Sequence, residues 1–282
     1  MLERFLSSLA DNFAGWFRGG PAMRRQKSIG ASYGSRGQRL ANVDAGIRRI
    51  APTFGKALFL TYSTKSSGQL VVESDEERLV AHMLALDPRV SVFKAQPFKV
   101  DLIDGRLLKT PEAVNEARLK HKDRKGPKFY TPDFAVDRHT APRSAIEVKR
   151  EGHDGDDDYK SVLEQAKQIL EAGGYLFSTV VMPAGPHPLR SNLPLLKKAA
   201  SRSDLWPSPD FVQRIEAVCA GRRMTLRMLC AELDLSPNLV PALLVSGAVG
   251  ADVVRYAIHG EMMLAPTLGD LSHLELLEEV TL

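Results

Sequence analysis

The residues best suited to chemistry lie in YTPDFAVDRHTAPRSAIEVKR, residues 130–150. Two short apolar segments, each patterned like a strand buried in a sheet, carry Asp133 at the edge of one and Glu147 with Lys149 inside the other. Burying such groups unpaired is costly, so something must receive them. Side chains alternate along a strand, which puts Glu147 and Lys149 on one face of Ala145-Ile146-Glu147-Val148-Lys149, with Ile146 and Val148 on the other. Asp133 follows Pro132, a residue that interrupts a strand ladder, and can come from the neighbouring strand. If the two strands pair, Asp133, Glu147 and Lys149 converge on one edge. Two carboxylates and a backbone carbonyl make a hard-oxygen site for Mg²⁺ or Mn²⁺, ions that keep waters and accept phosphate oxygens. Such an ion would acidify water for attack on phosphorus, and the lysine would orient the nucleophile and offset developing charge. The expected receiver is therefore a cation with a scissile phosphate. Taken by themselves, the residues equally fit a surface-edge strand with an Asp turn and a Glu/Lys pair.

The elements around this stretch read as an α/β unit over residues 55–184. ALFLTYSTKSSGQLVV predicts two short strands around a Ser/Gly turn. SDEERLVAHMLALD predicts a helix with a Leu79/Val80/Met83/Leu84/Leu86 stripe, Ser74 as N-cap and Pro88 beyond the end. Strand patterns follow at VSVF, PFKVDLI, FYTPDFAV and SAIEVK, divided by a polar stretch over 104–128. DDDYKSVLEQAKQILEAGG predicts a helix with acids at its start and glycines at its end. Its acidic run, Glu151, Asp154, Asp156, Asp157 and Asp158, reads as helix N-terminal charge rather than as metal ligands. YLFSTVVM is a strand covered on both faces. AGPHPLRSNLP reads as a boundary. Residues 185–282 then look helical, and MTLRMLCAELD followed by SPNLVPALLVSG outlines a helix-turn-helix within a small, all-α, winged-helix-like domain.

Composition narrows the function classes. The chain has 282 residues and a net charge of +4, but residues 1–50 alone set nine Lys/Arg against Glu3, Asp11 and Asp44. This arm, residues 1–54, and a second run, RLKHKDRKGPK, suit a phosphate backbone; solvated basic loops are the plain alternative for both. MLERFLSSLADNFAGWFRGG has apolar residues at helical spacing, yet Glu3 and Asp11 interrupt it. It reads as an amphipathic helix docking on protein, not as a signal peptide or a membrane span. Cys219 and Cys230 lack metal-binding spacing and read as free thiols of a reducing compartment, which gives a cytoplasmic expectation without membrane contact.

The segment ESDEERLVAHMLALDPRVSVFKAQPFKV, followed by YTPDFAV, IEVK and a helical C-terminal part, resembles the TnsA endonuclease subunit of heteromeric transposases, a PD-(D/E)xK, restriction-enzyme-like nuclease. The resemblance covers most of residues 55–265. It implies a restriction-endonuclease-like mixed sheet flanked by helices, and catalytic residues at Glu77, Asp133, Glu147 and Lys149. Glu77, Asp133 and Glu147 would be the metal ligands for Mg²⁺ or Mn²⁺, and Lys149 would support the attacking water. Ser74-x-x-Glu77 also reads as a capping box, and Glu76, nearest the middle of the apolar stripe, competes for the role of helix carboxylate. The resemblance further implies transposon-end DNA, the transposase TnsB and the ATPase regulator TnsC as partners, with cutting of the non-transferred strand at the 5′ ends. A free-standing restriction or repair nuclease and a catalytically silent binding scaffold are the alternatives.

The helix-turn-helix itself says less. SPNLVPALLVSG lacks Arg, Lys and Gln, and only Asn238 could read a base edge. Its apolar character points to packing or a protein partner, although Arg222, Arg223 and Arg227 remain candidates for phosphate contact.

Overall fold

The computed structural model describes residues 43–44, 46–47, 58–153 and 155–281, all within a unit that begins at Val43. The amphipathic helix and most of the basic arm expected over 1–54 lie outside the described residues. What is described is a mixed α/β structure.

Strands β1 (Val43–Asp44), β2 (Phe59–Ser63) and β3 (Gly68–Val72) form a small sheet in the order β1-β3-β2. Helix α1 (Asp75–Leu86) starts where Ser74 Oγ accepts the Glu77 N–H, and three acids in its first turn face the positive end of the helix dipole. It stops at Asp87, the residue before Pro88, where the helical conformation is disfavoured. Next come β4 (Val90–Ala95), β5 (Lys99–Asp101) and β6 (Arg106–Leu108). Helix α2 (Pro111–Lys120), β7 (Phe129–Tyr130), β8 (Phe134–Arg138), β9 (Ser144–Arg150), α3 (Asp157–Ala172) and β10 (Leu176–Met182) complete this part. The polar stretch 104–128, read from sequence as a connector, contains β6 and α2. Thr110 caps α2 and Pro111 opens it, but only Val114 and Ala117 are buried, too few to give a helical stripe.

The central sheet runs β10-β9-β8-β4, with β10 parallel to β9 and the other neighbours antiparallel. Alternation gives it two faces. Phe93, Phe134, Ile146, Val180 and Met182 pack with Leu79, Val80, Met83 and Leu84 of α1. Ala145 on the opposite face packs with Leu163, Ala166 and Leu170 of α3, together with Phe98, Val100 and Tyr130. At the N-terminus of α3 the Asp156 side chain accepts the Tyr159 N–H, with Asp157 and Asp158 in the first turn, so these acids act as helix-terminal charge.

The Pro- and Gly-rich stretch read as a boundary leads directly into α4 (Pro188–Ala200). Proline is tolerated at the first helical position, and Leu189, Leu193, Leu196 and Ala199 carry the same hydrophobic core onward from α1. Beyond it lie α5 (Pro209–Cys219), β11 (Met224–Thr225), α6 (Leu226–Leu233), α7 (Val240–Val245), β12 (Val249–Gly250) and β13 (Met263–Pro266). The strands form an antiparallel sheet in the order β11-β13-β12, so the C-terminal part is not all-α. Each strand is only two to four residues long, below the length at which alternation shows in sequence. Cys219 and Cys230 are free and buried.

Helix α6 and the segment Pro237–Val245 meet at a bend of 113°, within the range of helix-turn-helix units. Every residue of α7 is buried, so this helix packs and presents no base-reading face. Among the described residues, no single helix is long and apolar enough to cross a membrane.

Asn192 ties α4 to the segment before β13. Its Nδ2 donates to the carbonyls of Val253 and Tyr256, each at 2.8 Å, and its Oδ1 accepts the Ile258 N–H at 3.0 Å. Replacing it by leucine, Asn192→Leu, leaves three backbone groups without these partners. We expect a loss of about 3 kcal/mol, read as a lower urea midpoint of the full chain; an unchanged midpoint would contradict this role.

Candidate active site

The site grows from a break in a strand. Strands β7 and β8 would be continuous but for Thr131-Pro132-Asp133, where proline cannot donate to a ladder. On one side of β8 the register pairs Ala135 with Ala145 and Phe134 with Ile146, and the ladder ends there, with Asp133 and Glu147 the next residue on each strand. Asp133 lies just outside β8, and the charges of Glu147 and Glu77 both bear on its carboxyl. On the other side of β8, Gln96 follows the last residue of β4 and its N–H donates to the Asp133 carbonyl at 2.8 Å.

Each acid has protein donors. Asp133 Oδ2 accepts the Val148 N–H at 2.7 Å. Glu147 is buried, at 6 % exposure, and its Oε2 accepts from Tyr130 Oη at 2.5 Å while its Oε1 accepts from Tyr159 Oη. Glu77 Oε1 accepts from Ser74 Oγ at 2.8 Å and Oε2 from the Glu73 N–H at 3.0 Å. The capping-box reading of Glu77 therefore holds, shifted by one residue to the amide before the N-cap. The sequence reading gave the strand acids a cation with a scissile phosphate as receiver; the structure adds two tyrosines and a backbone amide.

Hydrogen bonds do not remove the electrostatic conflict. Burial raises the Asp133 carboxyl well above its ordinary range, and the charges of Glu147 and Glu77 raise it further, against the Val148 N–H. Burial also raises Glu147, opposed by the two tyrosine hydroxyls and the Lys149 charge. Glu77 is raised by burial and then by Glu73 and Glu147, its two cap hydrogen bonds acting in the opposite sense. The three acids thus feel one another through a shared poorly solvated region. Lys149 is half-buried, with Nζ 5.2 Å from the centre of the Tyr159 ring.

Glu76, the competing helix carboxylate, lies between two arginines. Its Oε1 is 2.9 Å from Arg190 Nη2 of α4 and 4.0 Å from Arg150 Nε. That ion pair explains how an acid occupies a position near the apolar stripe.

Sequence reasoning missed several groups at this site. Tyr130 and Tyr159 stand in plain view in YTPDF and DDDYK, but nothing in their spacing shows that both reach Glu147. Lys99 of β5 donates from Nζ to Thr131 Oγ1 at 2.9 Å, inside the strand break. Gln96 adopts a left-handed φ of 43°, donates from Nε2 to Glu73 Oε1 at 3.1 Å, and has an enclosed Oε1 with no hydrogen-bond partner. Strained, buried polar residues of this kind concentrate at functional sites. Gly46 lies against it: a Cβ there would stand 2.5 Å from the Gln96 carbonyl oxygen.

The carboxylate oxygens suit Mg²⁺ or Mn²⁺ in kind. Glu77, Asp133 and Glu147 do not bring one ligand atom each within 4.8 Å of one another; among the described residues only Asp101, Asp104 and His121 meet that spacing. One or two carboxylates with water suffice for Mg²⁺, which makes Asp133 and Glu147 the candidates to hold it. The Asp101 group is a different case. His121 Nε2 lies 3.2 Å from Asp101 Oδ2, Lys120 Nζ 2.6 Å from Asp104 Oδ2, and Arg106 Nε 3.7 Å from Asp101 Oδ2. Cations of the chain already neutralise these acids, and the cluster fastens α2 to the β5–β6 turn. The same pair, Lys120 with Asp104, commits part of the basic run 118–128 to structure, and Lys128 Nζ donates to the Lys122 carbonyl.

No protein-family model matches the chain, and no curated protein matches it either.

The raised Asp133 carboxyl has a signed consequence. A folded-state value above the ordinary 3.8 means that the folded chain binds this proton more tightly than the unfolded chain, so ionisation costs stability as pH rises through that interval. Asn at this position does not ionise and keeps an acceptor for Val148 N–H. We expect Asp133→Asn to be more stable than the native chain in metal-free buffer, with a gap that widens from about pH 4 upward. Paired thermal melts across pH check this; a gap that shrinks with rising pH would contradict it.

Proposed function

We propose that the protein is a metal-dependent DNA endonuclease of the restriction-enzyme-like PD-(D/E)xK class, acting as the TnsA-type subunit of a heteromeric transposase. The observation that carries this reading is the approach of Asp133 to β9 just beyond the last β8–β9 pair, where its Oδ2 accepts the Val148 N–H between Glu147 and Lys149. The mixed sheet with α1 and α3 on its two faces supports it, as do the charges of Glu77 and Glu147 acting on Asp133.

A bound Mg²⁺ or Mn²⁺ would supply Lewis-acid stabilisation of charge on the scissile phosphate. Asp133 and Glu147 would hold it, Glu77 would orient its surroundings, and the raised carboxyls would lose their mutual repulsion. The Lys149 ammonium offers hydrogen-bond donors to the attacking water and to a phosphoryl oxygen. Tyr130 and Tyr159 fix the Glu147 carboxylate so that neither oxygen wanders from the site. The DNA strand cut would be the non-transferred one, at the 5′ ends of the transposon, with TnsB acting on the 3′ ends and TnsC regulating both. In the C-terminal part, the 113° helix pair beside an antiparallel sheet supports a winged-helix-like module. Its buried α7 argues for packing over base reading.

A strand-resolved cleavage assay on transposon-end DNA with TnsB, TnsC and Mg²⁺ tests the reading. Lys149→Ala is expected to lower 5′-end cutting by about 10²-fold or more, and persistence of cutting at the native rate would defeat the assignment. Equal cutting without the partners would instead favour a free-standing nuclease.

A further inference from the structure

One side chain outside the expected set touches both halves of the proposed machinery. Tyr159 lies in the first turn of α3, half-buried, with its N–H held by Asp156 Oδ1 at 2.8 Å. Its hydroxyl donates to Glu147 Oε1, and its ring lies under the Lys149 ammonium, 5.2 Å from Nζ to the ring centre. The backbone makes room for it: Gly155 has a φ of 73°, and a Cβ there would stand 2.6 Å from Tyr159 Cδ1. Glu147 and Lys149 are two residues apart on one strand face, where their own backbone leaves several rotamers open to each. A single aromatic residue that engages one by hydrogen bond and the other by its π-face removes that freedom from both.

We propose that Tyr159 is a positioning residue which couples the Glu147 carboxylate to the Lys149 ammonium through one rigid side chain. The proposal rests on the nuclease reading above. The two contacts are separable. The hydroxyl orients the carboxylate, as outer-shell donors do for metal-ligating acids, and the ring places the ammonium. Removing the hydroxyl should therefore alter cation affinity, whereas removing the ring as well should alter the reaction rate even when the cation is saturating. A residue that merely supported the fold would move both readouts together with the melting temperature.

The test uses the full chain and two variants, Tyr159→Phe and Tyr159→Leu, with Asp133→Ala as the site control. Calorimetric titration with Mn²⁺ alone reads affinity, and 5′-end cutting with TnsB and TnsC at saturating Mn²⁺ reads rate. Tyr159→Phe is expected to bind Mn²⁺ about 10-fold more weakly, with cutting restored toward the native rate once Mn²⁺ saturates. Tyr159→Leu is expected to show the same weakening and to stay at least about 10-fold slow at saturation. Native affinity in Tyr159→Phe, or equal rates for the two variants at saturation, would overturn the proposal. If Tyr159→Leu does not melt cooperatively, the Tyr159→Phe affinity decides alone. Native chain that takes up no Mn²⁺ overturns the metal-site reading together with this one. Uptake that is lost in Asp133→Ala but unchanged in both Tyr159 variants overturns this one only.

Discussion

Repulsion among carboxylates held together away from water is the constraint on which the candidate site depends. Asp133 and Glu147 lie where the β8–β9 pairing ends, and Glu77 and Glu73 add negative charge from the start of α1. Left alone, such groups would drift toward solvent or pick up protons. They stay because each is tied down: Asp133 to the Val148 amide, Glu147 to two tyrosines, and Glu77 to its own helix cap. A chain selected for stability alone would not assemble acids in this way. Under the proposed function, a bound cation would relieve this repulsion.

The scaffold around them explains how this arrangement is tolerated. Both faces of the central sheet are filled, one by α1 and the other by α3, so the strands bearing the acids are fixed from two sides. The strand break at Pro132 frees Asp133 from ladder geometry, while its neighbour Phe134 stays fully buried. Gln96 secures the far side by donating to the Asp133 carbonyl, at a left-handed backbone position that Gly46 accommodates.

The C-terminal part shows a second use of the same core. The buried stripe of α4 continues into α6 and α7, and Asn192 stitches α4 to the segment before β13. Its helix pair has the angle of a DNA-reading motif, yet the helix that would read is enclosed. Asn238 is exposed just before α7, and Arg227 is paired with Glu261 at 2.7 Å. Shape and chemistry therefore point in different directions here, and the chemistry favours contact with protein or backbone phosphate over base edges.

Local rules determined much of this from sequence. Ser74 and Asp156 as caps, Pro88 and Gly173 as stops, and the alternation through Ala145-Ile146-Glu147-Val148-Lys149 each involve residues within a few positions of one another, so α1, β9, α3 and β10 were legible within a residue or two. The break before Asp133 was legible for the same reason, proline being a local signal. Tertiary structure decided the rest. Helix α2 carries too little apolar periodicity to show itself, and α4 begins inside a Pro-rich stretch whose buried stripe matters only once a core exists to meet it. Glu76 pairs with Arg190, more than a hundred residues away in the chain. Tyr130 and Tyr159 reached Glu147 only through strand register and helix packing. Hydrogen bonds and charge interactions act through space, and a sequence records only neighbours along the chain.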